Sequence, residues 1–506
     1  MAPVVEIPKL SVSDAEVSEV LKRAGIDESE GFQGRGGLGM VVAVAVFSSL
    51  AGLLMGLDIG YIAGIKTMES FAHGLLHEEE LKDTQDSTIT MIFGVGAAVA
   101  AFPPVMDFCV QLLGRKGAVV AGGAIFCLGS GLQAIACNMA MMLIGRVVAG
   151  FSVGLLSGNA PVYTSEIAPP KLRGALVTGF QFAITIGIML AFLLALILED
   201  VKKPYGGWRW VIAAQILPGC LLVLGGVLMP GSPRYLVAQG KPAEALKMLK
   251  LLRGEDVRQE FAEICQEHEV ESDASSWKEF LSGDNLKLLG IGVSIQLLQQ
   301  ICGMNAFMYD GPLIFETLFG NAHAGRLFTV ISGVVNIFAT IPGLFLVDRY
   351  GRTVLMKWSA IGMMACSAVL ATMGDVCFPD EVSHCGGWAK WVATLAICGF
   401  ILNFAYGWGG MAWVYCAEMF PQKHRTKGVA ATTDANWVGN ILIAFLPPIL
   451  FENWGFNTFW LFVATNGLCL LCALSLPETK DKSLEEITQM FQTWFGHRKS
   501  ERKVEV

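Results

Sequence analysis

About twelve stretches of roughly twenty or more mostly apolar residues recur along this chain, and each is long enough to cross a lipid bilayer as a helix. They fall at approximately 40–66, 88–110, 117–137, 139–161, 174–198, 210–230, 286–316, 325–347, 354–375, 390–418, 428–450 and 456–477. Helices are the expected form, because lipid offers backbone N–H and C=O groups no partner and each span must satisfy its own. The charge content agrees. Only 16% of the 506 residues are Asp, Glu, Lys or Arg, too few to cover a wholly water-facing surface.

One long polar stretch, 231–285, interrupts the series. Within it Pro242 to Leu252 and Val257 to Glu269 read as short amphipathic helices. The expected organisation is a polar tail (1–38), a six-helix bundle (39–230), a helical linker (231–285), a second six-helix bundle (286–478) and a second tail (479–506). The first tail has no basic segment followed by a short apolar run, so no cleaved signal is expected. Basic loops near Arg115 and Lys116, Lys171 and Arg173, the linker, Arg349 and Arg352, and Lys423, Arg425 and Lys427 all fall on one side. That side and both tails are expected to be cytoplasmic. The opposite loops hold His77 to Glu80 and Asp375 to His384, with Lys202 and Lys203 a minority against the rule. The net charge of -8 gives no basic patch for nucleic acid. No His/Cys cluster has metal-ligand spacing, and no nucleophile–base set or phosphate loop stands out, so neither a cofactor, a metal nor an enzyme is expected. Cys377 and Cys385 share one outer loop, where a disulfide would be open to them.

The halves repeat. Glu166, Pro169 and Arg173 have the spacing of Glu418, Pro421 and Arg425, 252 residues later. Leu113-Gly-Arg-Lys116 answers to Tyr350-Gly-Arg-Thr353, and Pro230-Gly-Ser-Pro-Arg234 to Pro477-Glu-Thr-Lys480. Two similar halves with a site between them are a common build for secondary transporters.

These residues, with Gly145-Arg-Val-Val-Ala-Gly150, Pro161 to Gly174, Gln299-Gln-Ile-Cys-Gly-Met-Asn305 and Asp348 to Arg352, resemble the sugar porter family of the major facilitator superfamily over about 40 to 490. The closest likeness is to its proton-coupled monosaccharide symporters. The resemblance implies a twelve-helix major facilitator fold, monosaccharide transport by alternating access, and a proton as the coupling ion. A facilitative uniporter and a transporter-like nutrient sensor are the rival readings. A monomer in the plasma membrane is the expected working form.

Asp58 lies about eight residues short of the outer end of the first span, and Arg146 about eight residues into the fourth, which runs the other way. At 1.5 Å per residue both sit roughly 12 Å deep from the same face, where they can pair. An unpaired charge there would cost at least about 2.5–3.5 kcal/mol. By resemblance Asp58 takes the proton and Arg146 holds the ionised form; a permanent structural ion pair is the plainer alternative. Gln296, Gln299 and Gln300 share one helix face, and Asn305 and Tyr309 continue the polar line. Amides suit sugar hydroxyls, which both donate and accept, although amides bonding helix to helix would look the same. The resemblance assigns sugar contacts to Gln181, Gln296, Gln299, Gln300, Asn305, Asn336, Trp413 and Asn436, with Trp408, Trp437 and Asn440 nearby. It also implies an inner charge network of Arg115, Glu166, Arg173, Asp348, Arg352, Glu418 and Arg425, expected to be exposed and individually weak. Asp310 stands where the family often has an aromatic residue; a second titrating group is one reading, and the expected one is that it faces outer water, at a helix end loosened outside Asn305 by Gly303, Gly311 and Pro312. Gly231 and Gln111 replace family acids. Glycines at 52, 56, 60 and 64, and at 150, 154 and 158, form stripes for close helix approach.

Overall fold

A computed structural model of the chain describes residues 14–26, 31–76, 83–169, 171–198, 206–254, 256–270, 276–377 and 387–504, with Val201 and Cys385. His77 to Glu80, Lys202, Lys203 and most of the loop before Cys385 lie outside the described residues. The described residues are almost wholly helical, and the apolar runs account for it. Ten helical stretches are long and apolar enough to cross a membrane. One of them, Gln422–Ser475, turns back at Gly455 and crosses twice. Asp83–Ala101, continued by the helix that starts at Pro103 as far as Gly114, supplies another crossing. The total is twelve.

Each half uses the same neighbours. The first span (Leu38–Ile65) packs on the fifth (Arg173–Leu198), and the seventh (Gly283–Phe319) on the eleventh (Gln422–Trp454). The second packs on the fourth (Met139–Ile167) as the eighth (Ala322–Tyr350) does on the tenth (Trp388–Met419). The halves meet where the fifth span crosses the eighth and the second crosses the eleventh. The reversals repeat too. Gly114 (φ 73°) turns the second span into the third, and Gly351 (φ 97°) turns the eighth into the ninth, both in the left-handed region that glycine tolerates.

The glycine stripes are packing surfaces. A Cβ on Gly56 would lie 2.0 Å from the Ile184 carbonyl oxygen of the fifth span, and one on Gly154 2.1 Å from the Ala97 oxygen of the second. Gly56→Val is therefore expected to destabilise the bundle by about 3 kcal/mol or more. Detergent-solubilised thermal unfolding would show it as a clear drop in midpoint; an unchanged midpoint would mean that the first and fifth spans can part without cost.

Besides the second span, which is interrupted at Phe102, three of the described spans are broken. The sixth divides at Gln215, the tenth at Gly407, and the seventh at Cys302 and Gly303. The loosening of the seventh span thus lies on the inner side of Asn305, not outside it as expected. Gly311 and Pro312 sit within continuous helix. A break frees carbonyls in a medium without water, and side-chain amides take them up. At the seventh span, Asn466 Nδ2 donates to Cys302 O (3.1 Å).

The linker contains helices Pro242–Leu252 and Arg258–Val270. The first tail is not featureless, since helix Asp14–Arg23 packs Val17, Val20 and Leu21 against Leu246, Leu249 and Phe261 of the linker. Near the linker's end Glu279 bonds Lys423 of the eleventh span (2.9 Å), and that contact holds its carboxyl below the ordinary range. A last helix, Leu484–Val504, sets Phe491 against Tyr415 of the tenth span.

Candidate functional site

The first and fourth spans bring Asp58 and Arg146 together, both 1% exposed, with Arg146 Nη1 3.5 Å from Asp58 Oδ2. The contact is an ion pair without a hydrogen bond: neither carboxylate oxygen of Asp58 has a hydrogen-bond partner. The guanidinium spends its N–H groups elsewhere. Nε donates to Ile89 O (2.5 Å), Nη2 to Thr90 O (3.4 Å) and Nη1 to the Tyr61 hydroxyl. Phe93 and Tyr61 lay ring faces against it at 5.2 and 5.6 Å. Tyr61 in turn donates to Gln133 Oε1. Sequence reasoning missed Tyr61, yet its position three residues after Asp58 puts it on the same helix face.

The amide-bearing residues converge from the seventh and eleventh spans, which pack side by side. Asn436 is their hub. Its Nδ2 lies 2.7 Å from both Gln296 Oε1 and Gln299 Oε1, and its Oδ1 accepts from Gln300 Nε2 at 2.8 Å. Asn305 donates to Gln300 Oε1 (2.5 Å), and Tyr309 to Asn440 Oδ1 (3.1 Å). Gln181 is buried on the fifth span and Trp413 on the tenth, edge-on to Phe180. Among the residues expected to contact sugar, three buried polar atoms have no hydrogen-bond partner: Gln296 Nε2, Asn336 Oδ1 and Trp413 Nε1. Buried polar atoms are nearly always bonded, so donors and an acceptor left open on the seventh, eighth and tenth spans suit a ligand rich in hydroxyls. Trp408 and Trp437 differ, since their indoles donate to Met356 O and Ser157 Oγ (3.0 Å each) and serve packing.

The halves are tied at both ends. On the outer side Lys66 closes the first span, and its ammonium lies 3.0 Å from Asp86 of its own half and 3.2 Å from Asp310 of the other. Asp310 does not face outer water: it is buried, because Lys66 reaches it across the interface. On the inner side Asp348 Oδ2 accepts the Ala175 N–H (2.9 Å), Lys427 lies 3.7 Å from Asp107, and Arg173 Nη1 donates to Lys482 O (3.1 Å). The halves thus touch through charged groups at both ends.

The inner charges are buried, not exposed as expected, apart from Asp348, which is half-buried. Arg115 pairs with Glu166 (3.0 Å), and Ser232 donates to the second oxygen of Glu166 (2.5 Å) beside the Gly231 position. Arg352 pairs with Glu418 (2.9 Å) and Asp348 (3.2 Å), and Thr479 donates to Glu418. Glu478, another residue that sequence reasoning missed, accepts the first N–H groups of the ninth span from Arg352 and Thr353 (2.9 and 3.0 Å). Arg425 bonds Phe420 O (3.2 Å) and Gln422. Gln111, where a family acid would stand, is exposed. Cys377 and Cys385 are joined as a disulfide at the outer end of the ninth span.

Comparison with known proteins agrees with this geometry. The family model described as "Sugar (and other) transporter" matches residues 44–491. A galactose-proton symporter of Escherichia coli strain K12 is 35% identical over 462 residues, covering 90% of this chain and 95% of that protein. Sugar transport protein MST3 of Oryza sativa subsp. japonica is 32% identical over 485 residues, covering 90% and 92%. Among solved structures, the major facilitator superfamily proton:xylose symporter XylE bound to 6-bromo-6-deoxy-D-glucose superposes with a TM-score of 0.78 at 25% identity, covering 90% of this chain and 99% of that one. A twelve-span fold of two like halves and a match over nearly the whole chain lead to one conclusion: the chain belongs to the sugar transporter family of the major facilitator superfamily.

Proposed function

We propose that the protein is a proton-coupled monosaccharide carrier that works by alternating access, with Asp58 as the proton-binding group and the amide cluster around Asn436 as the sugar site. The observation that carries this reading is Asp58 itself, a buried carboxyl with no hydrogen-bond partner on either oxygen and the Arg146 guanidinium 3.5 Å away. A purely structural ion pair would be expected to hydrogen-bond directly, because a buried charge pair offsets its desolvation cost only when its oxygens and N–H groups are satisfied. The names of two similar symporters support the same reading.

In the proposed cycle Asp58 takes a proton from the outer side and the sugar exchanges hydroxyls for the amide–amide bonds of the occluded site. The outer tie at Lys66 then forms, the inner ties at Asp348 and Lys427 part, sugar leaves, and Asp58 loses its proton inward. Both termini lie in the cytoplasm and the plasma membrane is the working membrane in this reading, with the monomer as the transporting unit.

Reconstituted vesicles supply the test. With an inward proton gradient, labelled hexose is expected to overshoot its equilibrium level and the outer medium to turn alkaline. With the gradient collapsed, uptake stops at equilibrium. Equal uptake in both conditions, without alkalinisation, would replace the symporter with a uniporter.

A further inference from the structure

We infer that Tyr61 is a positioning residue that holds the Arg146 guanidinium off Asp58, and so keeps the carboxyl free to take its proton. This inference rests on the proton-coupling reading above and deepens it. The nitrogen of Arg146 nearest the carboxylate, Nη1, is the one bonded to the Tyr61 hydroxyl. That nitrogen stands 3.5 Å from Asp58 Oδ2, beyond a good charge-assisted hydrogen bond, which closes to about 2.7–2.9 Å. The phenol is itself anchored: its proton goes to Gln133 Oε1, and Gln133 Nε2 is tied to Gly145 O (3.2 Å) one residue before Arg146. The partners of the phenol, Gln133 and Arg146, are therefore fixed to the third and fourth spans, while Tyr61 and Asp58 both ride on the first.

The other titratable neighbour is Tyr309 of the seventh span, whose proton is given to Asn440. The second span offers only the Ile89 and Thr90 carbonyls, and the fifth packs Ile184, Gly187 and Ile188 against Gly56, Leu57 and Gly60. No second cation among these contacts could replace Arg146. The balance between carboxylate and carboxylic acid at Asp58 thus turns on how closely one guanidinium approaches, and Tyr61 sets that distance. Without the phenol oxygen, Nη1 has lost its acceptor and the nearest open ones are the oxygens of Asp58. The pair would then tighten into a direct hydrogen bond that favours the ionised carboxyl.

The test is an infrared titration of the purified full-length protein, following the carbonyl band of the protonated carboxyl that Asp58→Asn removes. Tyr61→Phe is expected to move the midpoint of that band down by about one pH unit, a tenfold change in proton concentration. Gln133→Leu is expected to move it in the same direction, because the freed phenol can turn its proton toward Asp58. The pH at half-maximal uptake should follow both. A role confined to packing would lower uptake and leave the midpoint in place. Unmoved midpoints in both folded variants overturn the inference. A band that survives in Asp58→Asn instead overturns the coupling assignment, so the two failures are told apart.

Discussion

Asp58→Asn is expected to abolish gradient-driven accumulation while leaving exchange of labelled sugar across the membrane intact. Asparagine copies the shape of the protonated carboxyl but binds and releases no proton, so it fixes the protein in one of the two forms that coupling must alternate. The usual objection, that removing one member of a buried ion pair strands the other, is weak here. Arg146 keeps Ile89 O, Thr90 O and the Tyr61 hydroxyl as acceptors, together with two ring faces. The variant should therefore fold. The size of the effect follows from the driving force. One charge crossing 100 mV is worth about 2.3 kcal/mol, which corresponds to roughly 45-fold accumulation at 1.4 kcal/mol per decade. In the variant that ratio should fall to about one. Uptake into vesicles under an imposed gradient measures it, with counterflow exchange as the check on folding. Retained accumulation would make Asp58 a structural residue and move the proton elsewhere.

The sequence read well where a property is periodic or repeated. Twelve apolar runs are helix-length signals, and the bilayer leaves them little choice of form. The linker helices followed from apolar spacing. The pairing of Asp58 with Arg146 followed from depth alone, because opposed helices of known rise fix where two charges meet. What stayed hidden depends on contacts between distant segments. Asp310 looked solvent-facing because nothing near it in sequence neutralises it; its cation, Lys66, comes from the first span, 244 residues away. The inner charges looked exposed because their neighbours in sequence are loop residues, whereas the ends of the fourth, fifth, ninth and tenth spans fold over them. The break in the seventh span was placed on the wrong side of Asn305 because glycine and proline mark where a helix can break, while packing against the twelfth span decides where it does.

Those breaks place the site. A continuous seventh helix would carry its amides along a single straight stripe. The interruption at Cys302 and Gly303 separates Gln296 to Gln300 from Asn305 and Tyr309 and lets the outer segment tilt independently. Asn305 can then fold back onto Gln300, while Tyr309 reaches Asn440. The outer segment also carries Asp310, so the part of the seventh span that touches the amide cluster is the part that Lys66 holds. In the proposed reading, binding in the cluster and closure of the outer end share one short helix, which would give sugar a mechanical route to the gate.

The same arrangement makes Asn436 the most sensitive residue of the proposed sugar site. Asn436→Ala is expected to lower kcat/KM for the transported sugar by roughly a hundredfold, about 3 kcal/mol. One side chain there meets Gln296, Gln299 and Gln300 at once. Its loss removes a contact of its own and also lets three glutamines, each with several rotatable bonds, leave the geometry in which they meet hydroxyls. Asn440→Ala provides the comparison. Asn440 has one good partner, Tyr309 at 3.1 Å, and one long contact, Gln300 at 3.5 Å, so a loss of less than about tenfold is expected. Both alanines sit on the same helix about one turn apart, so a general weakening of the eleventh span would lower uptake equally in the two. Initial-rate uptake over a range of sugar concentrations separates the cases. If the two variants fall together, or if Asn436→Ala transports normally, the amides serve to join helices and the sugar binds elsewhere.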